Sequence, residues 1–262
     1  MSGEGRAYGM PGPAARRWAE LQSGRGIPPE ILAGAPADPW RHDPRDFAAP
    51  AEPADTPSRD AALALLDAGG TLIDVGCGGG DATFAVAHRL RHATGVDRQQ
   101  DMLDLYAADA TARGLAHRTV RGGWPEVAAE AGTADVVVCH HVLHNVVDLP
   151  PFLAALSTAA RRGVVVEMLT QHPMAWLDPL WERFHGLRRP PPATDDEAVA
   201  VLAELGICAE VRRWERDRTP PHDPAWVTRR LCLPAERAAD VEAALAGTAP
   251  RSKWAATLTW RS

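Results

Sequence analysis

The stretch Thr71–Gly80, TLIDVGCGGG, decides how this chain folds. Hydrophobic and β-branched residues run as far as Val75, and four of the next five residues are glycine. An acidic residue, Asp74, precedes the first glycine by two positions. A strand followed by a glycine-rich turn and a helix presents backbone N–H groups to a ligand at close range. The pattern therefore predicts a buried strand that leads into a ligand-binding turn.

Beyond this stretch, predicted strands and helices alternate along the chain. The strands are Thr71–Val75, Ala93–Asp97, His117–Val120, Ala134–Cys139 and Gly163–Met168. The helices between them are Asp81–Leu90, Gln100–Arg113, Pro125–Ala131 and Pro150–Ala160. Apolar runs such as VVVC and GVVVEML suit strands that are buried on both faces, and strands that alternate with helices form parallel sheets. We therefore expect an α/β fold with a doubly wound, mostly parallel sheet.

The N-terminal part of the chain follows a different pattern. Ten of the 23 prolines fall within residues 1–60, which predicts an irregular extension over residues 1–57, able to act as a lid, and a main domain over residues 58–262. Within the extension, PAARRWAELQ is typical of a short helix. We expect Trp40 and Phe47 to pin the extension to the domain, because an aromatic ring would otherwise face water.

The C-terminal part is also less regular than the middle. The run HPMAWLDPLWERFHGLRRPPP predicts a helix closed by prolines, and its Trp176 and Trp181 are expected in a core or in a lid over a pocket. Asp195–Leu205 predicts a helix, Cys208–Trp214 a strand, and KWAATLTW an alternating strand. We expect these two late strands to pair antiparallel at the sheet edge, with no helix required between them.

Composition excludes several classes of function. The 262-residue chain is 45% hydrophobic and carries a formal net charge of −6, so neither nucleic acid nor an anionic membrane is an expected partner. Its four cysteines lie far apart, which predicts small buried residues in a reducing compartment. No stretch has the apolar length of a secretory signal or a membrane span. We therefore expect a cytoplasmic protein.

The residues around the glycine turn discriminate between two classes of cofactor. The dinucleotide fingerprint G-x-G-x-x-G would need glycine at the position of Asp81, whose carboxylate would face a pyrophosphate. Nicotinamide dinucleotides are therefore disfavoured, whereas Asp74 suits a cofactor that carries an amino group and a sulfonium. A second acid, Asp97, ends the next strand 21 residues after Gly76. It is predicted either to bind the hydroxyls of a ribose or to cap the following helix.

Three segments, LIDVGCGGG, GVDRQQDML and ADVVVCHHVLHNVVDLPPFLAAL, resemble the class I S-adenosylmethionine-dependent methyltransferase family. The resemblance covers roughly residues 58–168. The family's first motif, D-x-G-x-G-x-G, is matched at Asp74, Gly76, Gly78 and Gly80. This resemblance implies a seven-stranded sheet that ends in an antiparallel strand, consistent with KWAATLTW.

The resemblance also implies which residues contact the cofactor. Gly76, Cys77 and Gly78 would wrap its methionine end, Asp97 would hold the ribose, and Arg98 and Met102 would border the adenine. Two glycines, Gly122 and Gly123, replace the usual polar residue near the adenine amino group, so the backbone or the ring of Trp124 would serve there, unless Trp124 packs in the core. The full predicted set is Asp74, Gly76, Cys77, Gly78, Gly80, Asp97, Arg98, Met102, Gly122, Gly123, Trp124 and His140.

The motif CHHVLHN places His140, His141, His144 and Asn145 where the fourth predicted strand ends, and ligands of open α/β sheets bind at that edge. Zinc is an alternative interpretation, but adjacent side chains in a strand point to opposite sides, which disfavours joint coordination. We therefore expect no metal. A histidine can remove a proton from a nucleophile, so His141 and His144 are the candidate catalytic residues, with pocket shaping or helix capping as the other interpretation.

The resemblance implies an S-adenosylmethionine-dependent methyltransferase that acts on a small organic acceptor at O, N or C. It lacks the Asn/Asp-Pro-Pro-aromatic motif of enzymes that methylate adenine N6 or glutamine amides. The alternatives are an RNA or protein methyltransferase and a non-catalytic module that only binds the cofactor. The sequence predicts neither the acceptor nor the oligomeric state.

Overall fold

The computed structural model describes residues 11–40, 47–216, 223–247 and 253–262. Its centre is a seven-stranded sheet with strand order β3-β2-β1-β4-β5-β7-β6. The strands are β1 (Gly70–Val75), β2 (Leu90–Asp97), β3 (His117–Arg121), β4 (Ala134–His140), β5 (Ala160–Leu169), β6 (Glu210–Glu215) and β7 (Trp254–Arg261). The first five strands pair in parallel, and β7 lies antiparallel between β5 and β6. The predicted α/β, mostly parallel seven-stranded sheet with a final antiparallel strand is confirmed.

Eleven α-helices lie in the described residues. They are α1 (Pro13–Ser23), α2 (Pro29–Ala33), α3 (Pro57–Leu65), α4 (Asp81–Phe84), α5 (Gln100–Ala112), α6 (Ala128–Ala131), α7 (Leu149–Ala159), α8 (Asp178–His185), α9 (Asp195–Glu204), α10 (Pro224–Arg230) and α11 (Ala238–Leu245). In the described part of the chain, none of them combines the length and apolarity needed to cross a bilayer.

The side chains of β1 alternate between the two faces of the sheet, and helices cover both faces. Ile73 and Val75 face a cluster that includes residues of α1, α7 and α9. Leu72 faces the opposite cluster, which is formed with α3 and continues through residues of α4 and α5. Because successive side chains of a strand point to opposite faces, a strand covered on both sides needs apolar residues at nearly every position. The apolar run of β1 is explained by this double burial.

A third hydrophobic cluster lies apart from the sheet. It joins α8, α10 and α11, and its buried members include Trp176, Trp181, Val227, Leu231 and Val241. We call this unit the cap. Trp176 and Trp181 therefore lie in a core, one of the two expected positions, but it is the core of the cap and not that of the sheet. The two late strands pair antiparallel as expected, although α10 and α11 lie between them in the chain.

Several predicted boundaries also need correction. The helix predicted over Asp81–Leu90 is the short α4 followed by a 3₁₀ turn at Ala87–Arg89, because Leu90 already pairs with Gly70 in the sheet. The helix predicted over Pro125–Ala131 is only Ala128–Ala131, and the strand predicted over Cys208–Trp214 lies at Glu210–Glu215. Of the four cysteines, Cys208 is exposed where burial was predicted.

The N-terminal extension belongs partly to the main core. Trp18 of α1 is fully buried, and its indole Nε1 donates a hydrogen bond to the carbonyl oxygen of Val146 at 2.8 Å. By contrast, Trp40 and Phe47 are 51% and 39% exposed, so they do not pin the extension by burial as expected. Their rings line a cleft instead. Whether residues 1–57 act as a lid stays a prediction.

Candidate active site

A cleft of about 1560 Å³ opens at the carboxyl ends of β1, β2, β4 and β5. The glycine turn after β1 forms one side, and residues of the cap and of the extension form the other. Ligand sites in open α/β sheets lie at this edge, because the loops after neighbouring parallel strands meet there. Most of the residues predicted to contact a cofactor line the cleft.

The glycine turn is shaped by contacts that exclude larger residues. Gly76 has a positive φ of 73°, and a Cβ atom there would lie 2.3 Å from Cγ2 of Val142. The backbone N–H groups of Gly76 and Cys77 both donate to the carbonyl oxygen of Val96, at 2.8 and 3.0 Å. These bonds tie the end of β1 to β2, so the turn is held at a fixed position relative to Asp97.

Asp97 is oriented by two backbone hydrogen bonds. Its Oδ2 accepts from the N–H of Gly78 at 3.1 Å, and its Oδ1 accepts from the N–H of Gln99 at 2.9 Å. The N-cap of α5 is Gln99, so Asp97 is not the cap residue that the alternative interpretation required. A carboxylate offers about four lone-pair positions, which leaves about two for further donors. The half-buried carboxylate lines the cleft and can accept hydrogen bonds from a ligand.

Asp74 lies behind the turn and is 1% exposed. Its Oδ2 accepts a hydrogen bond from the hydroxyl of Thr83 at 2.8 Å, and Tyr106 donates in turn to Thr83 at 3.2 Å. Burial raises the pKa of Asp74 to about 7, although the bonds from Thr83 work in the opposite direction. A cation bound in the cleft near Asp74 would favour the ionised carboxylate.

Cys77 and Gly80 differ from what the motif match implied. The Sγ atom of Cys77 packs in the hydrophobic cluster beside Gly95 and Tyr106, so only its backbone is suited to a ligand. Burial raises the pKa of this thiol. Gly80 is not among the residues that line the cleft; it precedes α4 with a φ of 91° and packs against Phe84.

The predicted adenine side of the site is formed by residues from β2, β3 and α5. Arg98, Met102, Gly122, Gly123 and Trp124 all line the cleft. Met102 and Trp124 are buried, and Nε1 of Trp124 donates to the carbonyl oxygen of Phe152 at 3.3 Å. The indole N–H is therefore already used, and Trp124 both packs in the core and offers part of its ring to the cleft.

His141 and Glu167 form a pair at the edge of the sheet. His141 follows β4 with a φ of 61°, a left-handed conformation that is uncommon outside glycine. Its backbone N–H donates to the carbonyl oxygen of Glu167 at 2.7 Å, and its Nε2 lies 3.0 Å from Oε1 of Glu167. The imidazole is 43% exposed and lines the cleft. If Nε2 carries the hydrogen that Glu167 accepts, Nδ1 is left with a lone pair.

Glu167 is held as a carboxylate although it is nearly buried. Burial works to raise its pKa, but the hydrogen bond from His141 and the charge of His140 outweigh burial and bring the pKa to about 2. A further hydrogen bond from Ser58 acts in the same direction, and Ser58 is itself bonded to Thr257 at 2.7 Å. An ionised partner of this kind orients an imidazole and stabilises its protonated form.

The other two predicted histidines lie in less polar surroundings. His140 ends β4 with Nε2 buried and without a hydrogen-bond partner, and burial lowers its pKa. His144 is 5% exposed, and its Nε2 donates to the carbonyl oxygen of Leu169 at 2.9 Å. Burial lowers the pKa of His144 to about 4, so it is a weak base at neutral pH. The structure therefore favours His141 over His144 as a proton acceptor.

Among the cleft residues outside the predicted site, Glu167, His172 and Arg189 carry titratable or charged side chains. The sequence could have indicated Glu167, since it is an acidic residue within the apolar run GVVVEML, near the end of a predicted strand. His172, whose ring centroid lies 5.4 Å from that of His144, and Arg189 lie in the run after β5 for which the sequence predicted a helix but no site residue. Among the described residues, no group of three or more His, Cys, Asp or Glu side chains is arranged to hold a metal ion.

Comparison with known proteins shows what this part of the chain is similar to. Residues 72–163, about a third of the chain, match a family model described as a methyltransferase domain. The matched range begins in β1 and ends in β5, so it includes the glycine turn, Asp97 and His141.

Curated relatives cover a similar part of the chain. A ubiquinone biosynthesis O-methyltransferase from Methylococcus capsulatus is 32% identical over 158 residues, which are 57% of this chain and 62% of the relative. A protein of the same name from Aeromonas salmonicida is 28% identical over 148 residues, which are 54% of this chain and 62% of the relative. The chain thus spans less than two thirds of the length of either relative.

Solved structures support the fold. A putative methyltransferase from Bacillus halodurans aligns with a TM-score of 0.54 at 14% identity, over 79% of this chain and 99% of that protein. A SAM-dependent methyltransferase from Aquifex aeolicus aligns with a TM-score of 0.50 at 14% identity, over 84% of this chain and 99% of that protein. At this identity the likeness concerns the architecture of the methyltransferase domain alone.

Proposed function

We propose that this protein is an S-adenosylmethionine-dependent methyltransferase that transfers a methyl group to a small organic acceptor. The observation that carries the proposal is that the glycine turn, Asp97 and the His141–Glu167 pair line one cleft. At about 1560 Å³ this cleft exceeds the roughly 300–1,000 Å³ that a single small ligand occupies. It therefore has room for a cofactor and an acceptor side by side.

The residues present suit S-adenosylmethionine. Asp97 has lone pairs free for ribose hydroxyls, and Met102 with the backbone of Gly122 and Gly123 provides an apolar, close-approach surface for a flat base. Asp74 would favour the amino group of the methionine portion. When bound, this cofactor supplies a methyl group that a sulfonium has already activated for displacement.

The chain itself would supply alignment and proton removal. The cap and the extension wall off one side of the cleft, which positions an acceptor and limits access of water. Glu167 orients the imidazole of His141, and Nδ1 of His141 accepts the proton of the acceptor's nucleophilic atom. His144 lies next to this position as a neutral, buried wall residue.

The acceptor atom is oxygen, nitrogen or carbon. Both relatives are named as O-methyltransferases, which favours oxygen. A cytoplasmic location is part of the proposal and is supported by the four cysteines, all of which are free thiols. The acidic net charge of −6 supports a small molecule over a nucleic acid as the partner.

Ligand-dependent melting tests the choice of cofactor. S-adenosylhomocysteine should raise the melting temperature of the purified protein, because a ligand that binds only the folded state stabilises it, and NADH should not.

Asp97→Ala should keep its fold and lose about ten- to a hundredfold in affinity for S-adenosylhomocysteine, or roughly 1.5–3 kcal/mol. Transfer of labelled methyl to pooled small metabolites then separates an enzyme from a binding module. Stabilisation by NADH in place of S-adenosylhomocysteine would contradict the proposal.

A further inference from the structure

Arg189 is a cation in the wall of the cleft that forms no ion pair with any described residue. It lies in the loop after α8, and its Nε and Nη2 atoms are buried without a hydrogen-bond partner. Among the described residues it forms no ion pair, and its guanidinium stacks 4.3 Å from the ring centroid of Trp181. Burying an unpaired charge is costly, so such a group is expected to meet an anion in the working state.

The carboxylate of Asp178 favours the charged form of Arg189 but is paired with Arg25 and not with Arg189. Arg25 makes a bidentate pair with Asp178, at 2.7 and 3.0 Å, and also donates to the carbonyl oxygen of Pro190. The carboxylate of Asp178 is thereby used by Arg25. Burial and the charge of Arg25 lower the pKa of Arg189 only to about 10, so Arg189 remains protonated at neutral pH. Arg25, Asp178 and Arg189 together carry one net positive charge.

A continuous wall connects Arg189 with the proposed proton acceptor. The ring of His172 lies within electrostatic reach of both Arg25 and Arg189, whose charges help to lower its pKa. His172 packs against His144, which follows His141 by three residues. Arg189 therefore lies beyond the histidines, in the half of the cleft that the cap lines and away from the glycine turn.

We propose that Arg189 binds a carboxylate of the methyl acceptor, which makes the acceptor an organic acid. The assignment rests on the proposed function. A carboxylate fits better than a phosphate, because the one net positive charge of this group matches a single negative charge. Met174, Leu177 and the half-exposed ring of Trp40 line the same cleft and provide an apolar surface for the body of the acid.

A matched pair of probes tests the assignment. Benzoate and benzamide have nearly the same shape and differ in charge, and each is titrated calorimetrically into protein saturated with S-adenosylhomocysteine. The wild type should bind benzoate at least about tenfold more tightly than benzamide. Arg189→Gln should abolish this preference, and Arg189→Lys should keep part of it, because a lysine retains the charge without the planar fork.

The neighbouring Arg188→Gln is the control variant, since Arg188 is 86% exposed and pairs with Glu182. It should leave the preference for benzoate unchanged, and thermal unfolding should show all three variants folded. The assignment is overturned if the wild type binds both probes equally, or neither at about 10 mM, or if Arg189→Gln and Arg188→Gln behave alike.

The cofactor titration separates this assignment from the proposed function. All variants should bind S-adenosylhomocysteine within about twofold of the wild type, because Arg189 lies away from the glycine turn. If that ligand binds and the preference for benzoate is missing, the carboxylate site alone is wrong. If that ligand fails to bind, the proposed function is wrong, and the benzoate titration without it still measures the anion preference of the cleft.

Discussion

At the scale of single residues, the pair formed by His141 and Glu167 sets the chemistry that this site can perform. Two features place the imidazole: a left-handed backbone at His141 and two hydrogen bonds to Glu167, one from the main chain and one from the side chain. A non-glycine residue in this conformation is held there by its surroundings. The strain is consistent with a functional position for the ring.

Replacing either member of the pair should change the rate. His141→Asn removes the proton acceptor and should lower methyl transfer by roughly 10²–10⁴ with nearly unchanged cofactor affinity. The wild-type rate should fall toward acid, because only the neutral imidazole accepts a proton, and this acid limb should be absent in the variant. Steady-state and single-turnover rates between pH 5 and pH 9 measure both effects.

Glu167→Gln provides the companion measurement. Its amide oxygen can still accept the hydrogen bond from Nε2, so the ring stays oriented, but the imidazolium loses its ion pair. The rate should therefore fall by less than in His141→Asn, with nearly unchanged cofactor affinity. An active His141→Asn with the wild-type pH profile would leave orientation, and not proton removal, as the contribution of this pair.

At the scale of elements, α1 and the residues around Trp40 show that the extension has two roles. Trp18 in α1 has no exposed surface and forms a hydrogen bond with the segment after β4, whereas Trp40 is half exposed at the cleft. The same residue type, 22 positions apart, therefore stabilises the core in one place and lines the ligand cleft in the other.

Two alanine variants should separate these roles. Trp18→Ala should lower the free energy of unfolding by about 3–5 kcal/mol, because it opens a cavity in the main core. Trp40→Ala should lower it by less than about 1 kcal/mol, since a half-exposed ring loses little on truncation. Urea denaturation measures both values. Equal losses in the two variants would show that the extension is not divided in this way.

At the scale of the whole molecule, stability is coupled to the charge of Asp74. This residue lies in β1, at the centre of the sheet, so its carboxylate is buried until the whole sheet opens. Its folded-state pKa of about 7 lies above the ordinary value of 3.8 for an aspartate. The folded state therefore binds the proton more tightly, and the resulting stability is lost as pH rises through the folded pKa.

Asp74→Asn removes this dependence, because the amide is neutral and its oxygen can still accept the hydrogen bond from Thr83. The stability advantage of the variant over the wild type should grow by about 3 kcal/mol between pH 5 and pH 8. Urea denaturation at the two pH values measures the change, and exposed Asp60→Asn in α3 serves as the control. Affinity for S-adenosylhomocysteine should fall in Asp74→Asn if Asp74 favours its amino group. An advantage of equal size at both pH values would contradict the coupling.

The sequence by itself determined the order of the five parallel strands along the chain, the turn at Gly76 and the position of Asp97. Each is a local consequence of residue type: a near-continuous apolar run marks a strand that is buried on both faces, and glycine readily adopts the positive φ of 73° that the turn requires at Gly76. The alternating KWAATLTW was readable as a strand for the same reason.

Tertiary structure alone decided which histidine is paired and which is buried. His141 and His144 are three residues apart in one loop, yet one meets a carboxylate and the other a backbone carbonyl, because β5 brings Glu167 and Leu169 beside them. The cap could not be predicted either, since α8, α10 and α11 bury their apolar faces against one another across about 70 residues of chain. The role proposed for Arg189 could not be predicted from the sequence, because the tertiary structure alone decides which side chains lie near its charge.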